Sequence, residues 1–229
     1  KFKNDPPIAR NMTKIAGYIS WARQLQRRIS TPMHHFQNNP KVLHPKESKK
    51  IVKLHNKLIK VLIKYETLWY QTWTKSCDQA KKGLHSRLII QHPQDGHLIV
   101  NFDHGVLQLI KEAKHLQILG LELPNSARIV LLLADRLKSY YEDLNFALKR
   151  YNHVTSLVNP VVQTLLLPHL SDLKHSIRPA MTTMTWSSMN ITPFLSNLLN
   201  KLQQFEHLVH QINDIINNRI EKNLNLTSR

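Results

Sequence analysis

Apolar residues recur at alternating intervals of three and four along most of the chain, the spacing that places side chains on one face of an α-helix. The longest run predicts one helix that begins after Pro124, with Asn125 or Ser126 as its N-cap. Pro160 should end this helix, because a proline disfavours helical geometry in the residue before it. The apolar positions of this run are Val130, Leu133, Leu137, Tyr140, Leu144, Ala147, Tyr151, Val154 and Val158.

A second run of the same spacing predicts a helix from about Thr192. Its apolar positions are Leu195, Leu198, Leu202, Phe205, Val209, Ile212 and Ile216. Further apolar residues widen both faces beyond the narrow seam of a coiled coil, which favours packing inside a bundle. Shorter helices are expected over residues 15–36, 103–119 and 161–177, the last bent or broken at Pro168.

One segment departs from helical spacing. Residues 87–91 and 97–101 are short β-prone runs, and Asp95 and Gly96 between them form a strong hairpin signal. The sequence therefore predicts a mainly α protein, an elongated bundle of long helices with one small β-hairpin near residues 87–101. We treat residues 1–229 as a single helical segment whose possible sub-bundles are 1–119 and 120–229.

A further helix is predicted from residue 45 to about residue 83. Apolar residues recur on it at helical spacing: Ile51, Leu54, Leu58, Val61, Tyr65 and Leu68. A row of lysines follows the same rhythm, displaced by about 90° around the helix when each residue turns about 100°. The lysines are Lys46, Lys50, Lys53, Lys57, Lys60 and Lys64. Like charges at this spacing repel one another, so a row of carboxylates on a partner would stabilise them, and we take the stripe as a candidate partner-binding surface.

Composition adds a strongly basic balance. The formal net charge is +17 over 229 residues, which favours acidic partners such as nucleic acid, anionic lipid or an acidic protein surface like that of tubulin. A plainer interpretation is that the charge keeps a helical segment soluble or is neutralised by neighbours in a larger assembly. No apolar stretch approaches the roughly 18 residues that a membrane span needs, so we expect a soluble chain and no membrane partner. Since it begins at Lys1, we also expect a fragment of a longer protein.

Catalytic and metal-binding patterns are missing from the sequence. None of the five glycines is followed by lysine, so a phosphate-binding P-loop is excluded. His207 and His210 are three residues apart with Glu206 outside them, whereas a zincin needs a spacing of four around a glutamate. The single cysteine, Cys77, fits a reducing intracellular compartment, and we expect a buried structural thiol, although nearby lysines could lower its pKa. We predict no enzyme activity, no cofactor and no metal.

Nucleic-acid binding is the main alternative function. The lysine stripe could follow a phosphate backbone with little sequence preference. The aromatic residues Trp69 and Trp73 lie past the lysine run, however, and their spacing of four is that of core residues and not of a base-stacking platform.

The run 178–191 predicts a tight corner between two helices. Pro179 should stop the helix before it, because it lacks a backbone donor. Trp186 calls for burial, and the residues after it, with Asn190 among them, are of the types that begin helices. We expect four aromatic residues to act as structural anchors: Trp21, Trp69, Phe102 and Trp186.

Three stretches resemble the N-terminal tail (stem) of axonemal dynein heavy chains, with the outer-arm type most similar. Residues 6–25 are similar to the family's Pro-Pro and Ala-Gly-x-Ile-x-Trp-x-Arg-x-Leu wording. Residues 98–103 and 112–124 are similar to its Val-Asn-Phe-Asp and Glu-x-Lys-x-Leu-x-x-x-Gly motifs. Residues 178–191 are similar to its Pro-Gly-x-x-x-Leu-x-Trp-x-Ser-x-x-Ile motif. Two departures are Ala180, where relatives carry glycine, and Thr13 with Lys14, where relatives often carry a second proline pair.

The resemblance implies a non-catalytic segment of a motor whose ATPase ring lies elsewhere. In that family the tail associates heavy chains, carries intermediate and light chains, and docks the motor in ciliary movement. The implied partners are other dynein heavy, intermediate and light chains, and the implied location is the cytoskeleton of the cytoplasm, in the axoneme of a cilium or flagellum.

Overall fold

The computed structural model describes residues 6–39, 45–158, 163–216 and 218. Within these residues the chain is mainly helical and contains one two-stranded antiparallel sheet, which confirms the predicted fold class. In chain order the elements are α1 (Lys14–Asn38), α2 (Pro45–Lys81), β1 (Ile89–Gln91), β2 (Leu98–Val100), α3 (His104–Ile118), α4 (Asn125–Leu132), α5 (Ala134–Ser156), α6 (Gln163–Thr182) and α7 (Ile191–Ile215). None of the described helices combines the length and apolar character needed to cross a membrane.

The helices group into two compact units that are interleaved along the chain. The first unit comprises Lys1–Lys82 and His104–Leu132, and the second comprises Gly83–Asp103 and Leu133–Arg229. These bounds differ from the sub-bundles 1–119 and 120–229, because the hairpin packs against α5 and α6 while α3 and α4 pack against α2. The division of the chain into domains stays a prediction.

In the first unit, α1 packs along α2 through aromatic side chains. The Tyr18 and Trp69 ring centroids lie 4.6 Å apart, and the Trp21 and Tyr65 rings meet edge to face at 5.7 Å. Such pairs add to the free energy gained from burial alone. The proposed anchors Trp21 and Trp69 thus lie at the α1–α2 contact, where both are half-buried.

The N-terminus of α1 is capped by a carboxylate from α3. Glu112, which is only 9% exposed, accepts hydrogen bonds from the Ile15 backbone N–H at 3.0 Å and the Ala16 backbone N–H at 3.2 Å. The Thr13 hydroxyl donates to the same carboxylate at 2.7 Å. The first N–H groups of a helix have no partner within the helix and carry partial positive charge, so a buried carboxylate is stabilised there.

Helix α3 ends with a glycine in the left-handed conformation. Gly120 has φ of 73°, the Leu121 N–H donates to the Leu116 carbonyl at 3.0 Å, and the Gly120 N–H donates to the Gln117 carbonyl at 2.9 Å. This pair of bonds is a Schellman cap, which favours glycine because a Cβ is disfavoured at positive φ. The chain is thereby turned towards α4.

The prediction of one continuous helix between Pro124 and Pro160 is wrong. It is divided at Leu133, whose φ of −89° and ψ of −6° lie at the edge of helical geometry. Neither Asn125 nor Ser126 is the N-cap, since α4 already begins at Asn125 and the Arg128 N–H donates to the Pro124 carbonyl. The apolar rhythm continues through the break, so spacing alone could not reveal that the chain passes from one unit to the other there.

In the second unit, α5 packs against α7 and α7 packs against α6. The buried α7 residues are Ile191 and five of the seven that the spacing predicted, whereas Ile212 and Ile216 are only half-buried; the five are Leu195, Leu198, Leu202, Phe205 and Val209. At the edges of the helix contacts, Arg150 pairs with Glu206, and Lys201 pairs with Asp172 at 2.9 Å. The apolar core sets the packing, since partly exposed ion pairs contribute little.

The hairpin is confirmed, and a side chain of α5 holds it in place. Its strands pair with Ile89 opposite Val100, and Gly96 has a φ of 71° in the connecting loop. Asn152 forms two hydrogen bonds with the backbone of Leu98, donating to its carbonyl at 2.9 Å and accepting from its N–H at 3.2 Å. This amide therefore satisfies backbone groups that the two-stranded sheet would leave unpaired.

Helix α6 runs through two prolines that were expected to interrupt it. It includes Pro168 and Pro179 and ends at Thr182, so a break at Pro168 and a stop at Pro179 are wrong, while a bend at Pro168 stays a prediction. Residues on both sides of Pro179 are buried, Ile177 at 1% and Ala180 at 0% exposure. We attribute the continuation to this packing, which offsets the cost of about 3 kcal/mol for a proline in a helix interior.

Replacing the Glu112 carboxylate should destabilise the first unit. Glu112→Ala removes a buried charged acceptor and leaves two α1 N–H groups unsatisfied, so we expect the free energy of unfolding to fall by about 2–3 kcal/mol. Glu112→Gln keeps one acceptor oxygen and should cost about half as much. Urea denaturation followed by circular dichroism measures both, and equal stability of Glu112→Ala and the unchanged chain would contradict the capping interpretation.

Candidate partner-binding surface

The six lysines of the predicted stripe are all exposed on α2. Among the described residues, none of them lies within ion-pair distance of a carboxylate. Because they occupy an arc of about 80° at about 100° per residue, they form one continuous positive edge. The helix displays the stripe to solvent, where a negatively charged partner could neutralise it.

The apolar stripe beside these lysines is also largely exposed. Its exposed fractions are 40% for Ile51, 59% for Leu54, 42% for Leu58, 59% for Val61 and 59% for Leu68. The most deeply buried residues of α2 lie further round the helix, with Trp73 at 5% and Cys77 at 1% exposure, while Tyr65 of the apolar stripe meets Trp21 of α1. Since α2 carries apolar residues around much of its circumference, its spacing predicts a helix without indicating which face is buried.

The Trp186 run forms a corner between α6 and α7. Trp186 is 3% exposed, its indole Nε1 donates to the Asn101 carbonyl at 2.7 Å, and the Phe102 ring meets it edge-on at 4.7 Å. Asn190 occupies the N-cap position of α7, but its side chain makes no capping hydrogen bond. Trp186 and Phe102 thus meet in the second unit, where each has the surroundings of a structural residue.

The backbone around Trp186 is held by strand-like hydrogen bonds. Thr185 forms an isolated antiparallel bridge with Arg87, and the Ser187 N–H donates to the Leu84 carbonyl at 3.2 Å. Ala180 lies inside α6, and no described residue other than glycine has a positive φ. Alanine is therefore compatible with the backbone at this position.

Cys77 has the surroundings of a structural thiol. Burial raises the pKa of Cys77 to about 12, and the neighbouring carboxylate of Asp78 acts in the same direction. Its Sγ lies 3.3 Å from the Trp73 carbonyl, to which it can donate. The nearby lysines therefore do not lower its pKa, and its reactive thiolate is disfavoured at neutral pH.

The histidines do not converge on a metal site within the described part of the chain, where no group of three or more histidine, cysteine or acidic residues is close enough to hold an ion. Glu206, which precedes His207 in the stretch that only partly resembles a zinc motif, is paired with Arg150.

Sequence patterns missed several residues that organise the structure. Glu112 caps a helix that lies far away in the sequence, and Arg23 joins three elements by pairing with Glu66 at 2.8 Å and donating to the Leu119 carbonyl. Asn152 holds the hairpin in the same long-range manner. No local spacing reports such contacts. For Arg23 and Glu112, the resemblance to a family was the only signal in the sequence that these residues matter, since both match positions of the family's motifs.

These features define a mainly helical segment whose candidate functional feature is an exposed surface. More particularly, the chain belongs to the dynein heavy chain family: the family model described as "Dynein heavy chain, N-terminal region 1" matches residues 1–194. The resemblance to axonemal dynein tails is confirmed, whereas the nucleic-acid alternative receives no support from the relatives.

The relatives are axonemal, flagellar or ciliary dyneins. The chain is 41% identical over 228 residues to the "Dynein gamma chain, flagellar outer arm" of Chlamydomonas reinhardtii, a match that covers 100% of the chain and 5% of that relative. It is 36% identical over 220 residues to "Dynein axonemal heavy chain 5" of Mus musculus, covering 96% and 5%. For "Dynein axonemal heavy chain 8" of Homo sapiens the identity is 33% over 219 residues, covering 96% and 5%. The chain thus spans a small part of the length of these relatives.

Truncating the corner tryptophan should strongly destabilise the second unit. Trp186→Ala removes a buried indole, and we expect the free energy of unfolding to fall by about 3–5 kcal/mol. Trp186→Phe keeps most of the apolar volume but loses the donor to Asn101, which should cost about 1–2 kcal/mol. Chemical denaturation followed by circular dichroism ranks the two, and a smaller loss for Trp186→Ala than for Trp186→Phe would show that the indole does not anchor the corner.

Cys77 should react slowly in the folded chain. Because its pKa is raised to about 12, little thiolate is present at neutral pH, and burial also limits access. We expect labelling by a thiol reagent to be at least about 100-fold slower than in the urea-unfolded chain, where a free cysteine has a pKa of about 8.5. The rate at pH 7.5 with and without urea measures this, and equal rates would contradict the burial.

Proposed function

We propose that this chain is a non-catalytic tail segment of an axonemal dynein heavy chain that helps to assemble the motor. The family match over residues 1–194 to an N-terminal region carries the proposal. The described structure supports it, because the conspicuous features are helix packing and an exposed charged surface. The proposed location is the axoneme of a cilium or flagellum, as the names of the relatives indicate for those proteins.

The proposed partners are other dynein heavy, intermediate and light chains, and an acidic surface such as that of tubulin. The lysine stripe on α2 is the proposed contact, since six exposed ammonium groups on one arc favour a partner that presents carboxylates. Binding through such a surface should weaken as salt screens the charges, because the Debye length falls from about 10 Å at 0.1 M to about 3 Å at 1 M.

Reversing the charge of the stripe tests the proposed contact. Lys53→Glu/Lys57→Glu/Lys60→Glu should weaken binding at low salt by at least about tenfold, because several like charges would then face the partner's carboxylates. The measurements are pull-down of purified dynein intermediate and light chains, and co-sedimentation with microtubules.

The matched control is Lys111→Glu/Lys114→Glu/Lys149→Glu, which changes the net charge equally at exposed positions away from the stripe. It should bind like the unchanged chain. If the stripe variant also binds unchanged at low salt, or if both triple variants lose binding equally, the stripe is not the contact.

A further inference from the structure

The α2 helix presents an apolar face that the described elements cover only in part. Ile51, Leu54, Leu58, Val61 and Leu68 are each 40–59% exposed, whereas the apolar face of α7 is buried, with Leu198 at 1%. At about 100° per residue the five side chains fall within an arc of about 100°. A contiguous exposed apolar face of this kind marks an interaction surface more often than does a scattered apolar residue.

This face continues into a groove between α1 and α2. The groove has a volume of about 350 Å³ and is lined by apolar residues of both helices, among them Ile29, Met33, Phe36, Ile51, Leu54 and Leu58. Two helices therefore form the walls of a concave apolar surface within the first unit. A third helix lying in such a groove would complete a small bundle.

Charge identifies what the third helix should carry. At about 100° per residue, the lysine arc begins where the apolar arc ends, so that Lys50 and Leu68 share one angular position. A helix seated on the apolar face would bring its flanking positions against this lysine edge. Carboxylates at those positions would gain favourable electrostatic interactions, and lysines or arginines would be repelled.

We propose that the α1–α2 groove and the lysine stripe together form a docking surface for an acidic amphipathic α-helix of a partner chain. The inference rests on the proposed function and adds the form of the partner to it. The apolar positions Ile51, Leu54, Leu58 and Val61 follow the three-and-four spacing with which one helix receives another. An extended peptide would gain no backbone hydrogen bonds here, because both walls are helices with internally paired backbones.

The probe is a synthetic peptide of about three heptads with leucines at the a and d positions and glutamates at e and g. Repulsion among the glutamates keeps it from pairing with itself. Two comparison peptides serve as controls. The first has the same composition in scrambled order and therefore lacks an apolar seam, and the second has lysines in place of the glutamates. Fluorescence anisotropy with the 229-residue chain should show saturable binding of the glutamate peptide at low salt and no comparable binding of the other two.

Variants of the chain assign the binding to the groove. Leu54→Ser/Leu58→Ser should weaken binding of the glutamate peptide by at least about tenfold through lost apolar contact. The control Leu132→Ser/Leu165→Ser changes leucines that are 81% and 69% exposed elsewhere, and it should bind like the unchanged chain. Because all four leucines are exposed, the thermal melting of each variant by circular dichroism should stay close to that of the unchanged chain.

A charge exchange protects the test against misfolded variants. Lys57→Glu/Lys60→Glu should lose the glutamate peptide and gain the lysine peptide, which a damaged fold could not do. Equal binding of the scrambled and glutamate peptides would overturn the proposal, since charge alone would then explain the contact. A second outcome would also overturn the proposal. The chain would bind phosphatidylserine vesicles or a random DNA duplex but not the glutamate peptide, and Leu54→Ser/Leu58→Ser would reduce that binding. The surface would then bind a membrane or nucleic acid.

The failure of this inference can be told apart from failure of the proposed function. If Lys53→Glu/Lys57→Glu/Lys60→Glu loses dynein chains in the pull-down but the glutamate peptide never binds, the stripe binds a partner that is not an amphipathic helix. If neither partner chains nor peptide respond to any variant on α2, both proposals are wrong.

Discussion

The first unit depends on the burial of one carboxylate. Glu112 projects from α3 and accepts hydrogen bonds from the backbone at the start of α1, and it is almost fully shielded from water. A buried carboxylate without donors would cost several kcal/mol, so its burial and the placement of the α1 N-terminus require each other. Once α1 begins at this point, its aromatic residues Tyr18 and Trp21 meet α2.

The residues of this chain that match the family's sequence motifs have identifiable structural roles. Arg23 of α1 pairs with Glu66 of α2 and donates to the Leu119 carbonyl at the end of α3, so one guanidinium joins three elements. Gly17 lies against Ile8, where an added Cβ would come within 2.3 Å of the isoleucine side chain. Gly120 supplies the left-handed residue of the cap that ends α3. The described contacts of these positions organise packing, which explains why they identify the family without indicating chemistry.

Much of the fold could be predicted from the sequence, since helical spacing and the Asp95–Gly96 turn are local signals. Most of the α7 core residues and the presence of the hairpin follow from those signals alone. What failed depends on tertiary packing. Pro179 lies within α6, between the buried residues Ile177 and Ala180. The regular rhythm through Leu133 conceals a break at which the chain changes unit. Long-range acceptors such as Glu112 cannot be found from spacing, because their donors lie about a hundred residues away.

The candidate surface shows the same division between local and non-local information. Lysine spacing on α2 was sufficient to predict an exposed positive stripe, since charged side chains avoid burial whatever packs nearby. Spacing did not establish whether the apolar residues beside it are core or surface, because that depends on where α1 lies. The covered face of α2 includes Trp73 and Cys77, and the exposed face includes Leu54 and Val61. The covered residues stabilise the unit, and under our proposal the exposed ones bind a partner, so changes at the exposed residues should alter association without unfolding the chain. This separation suits a segment whose function is assembly, because partner choice can change while the α1–α2 packing is kept.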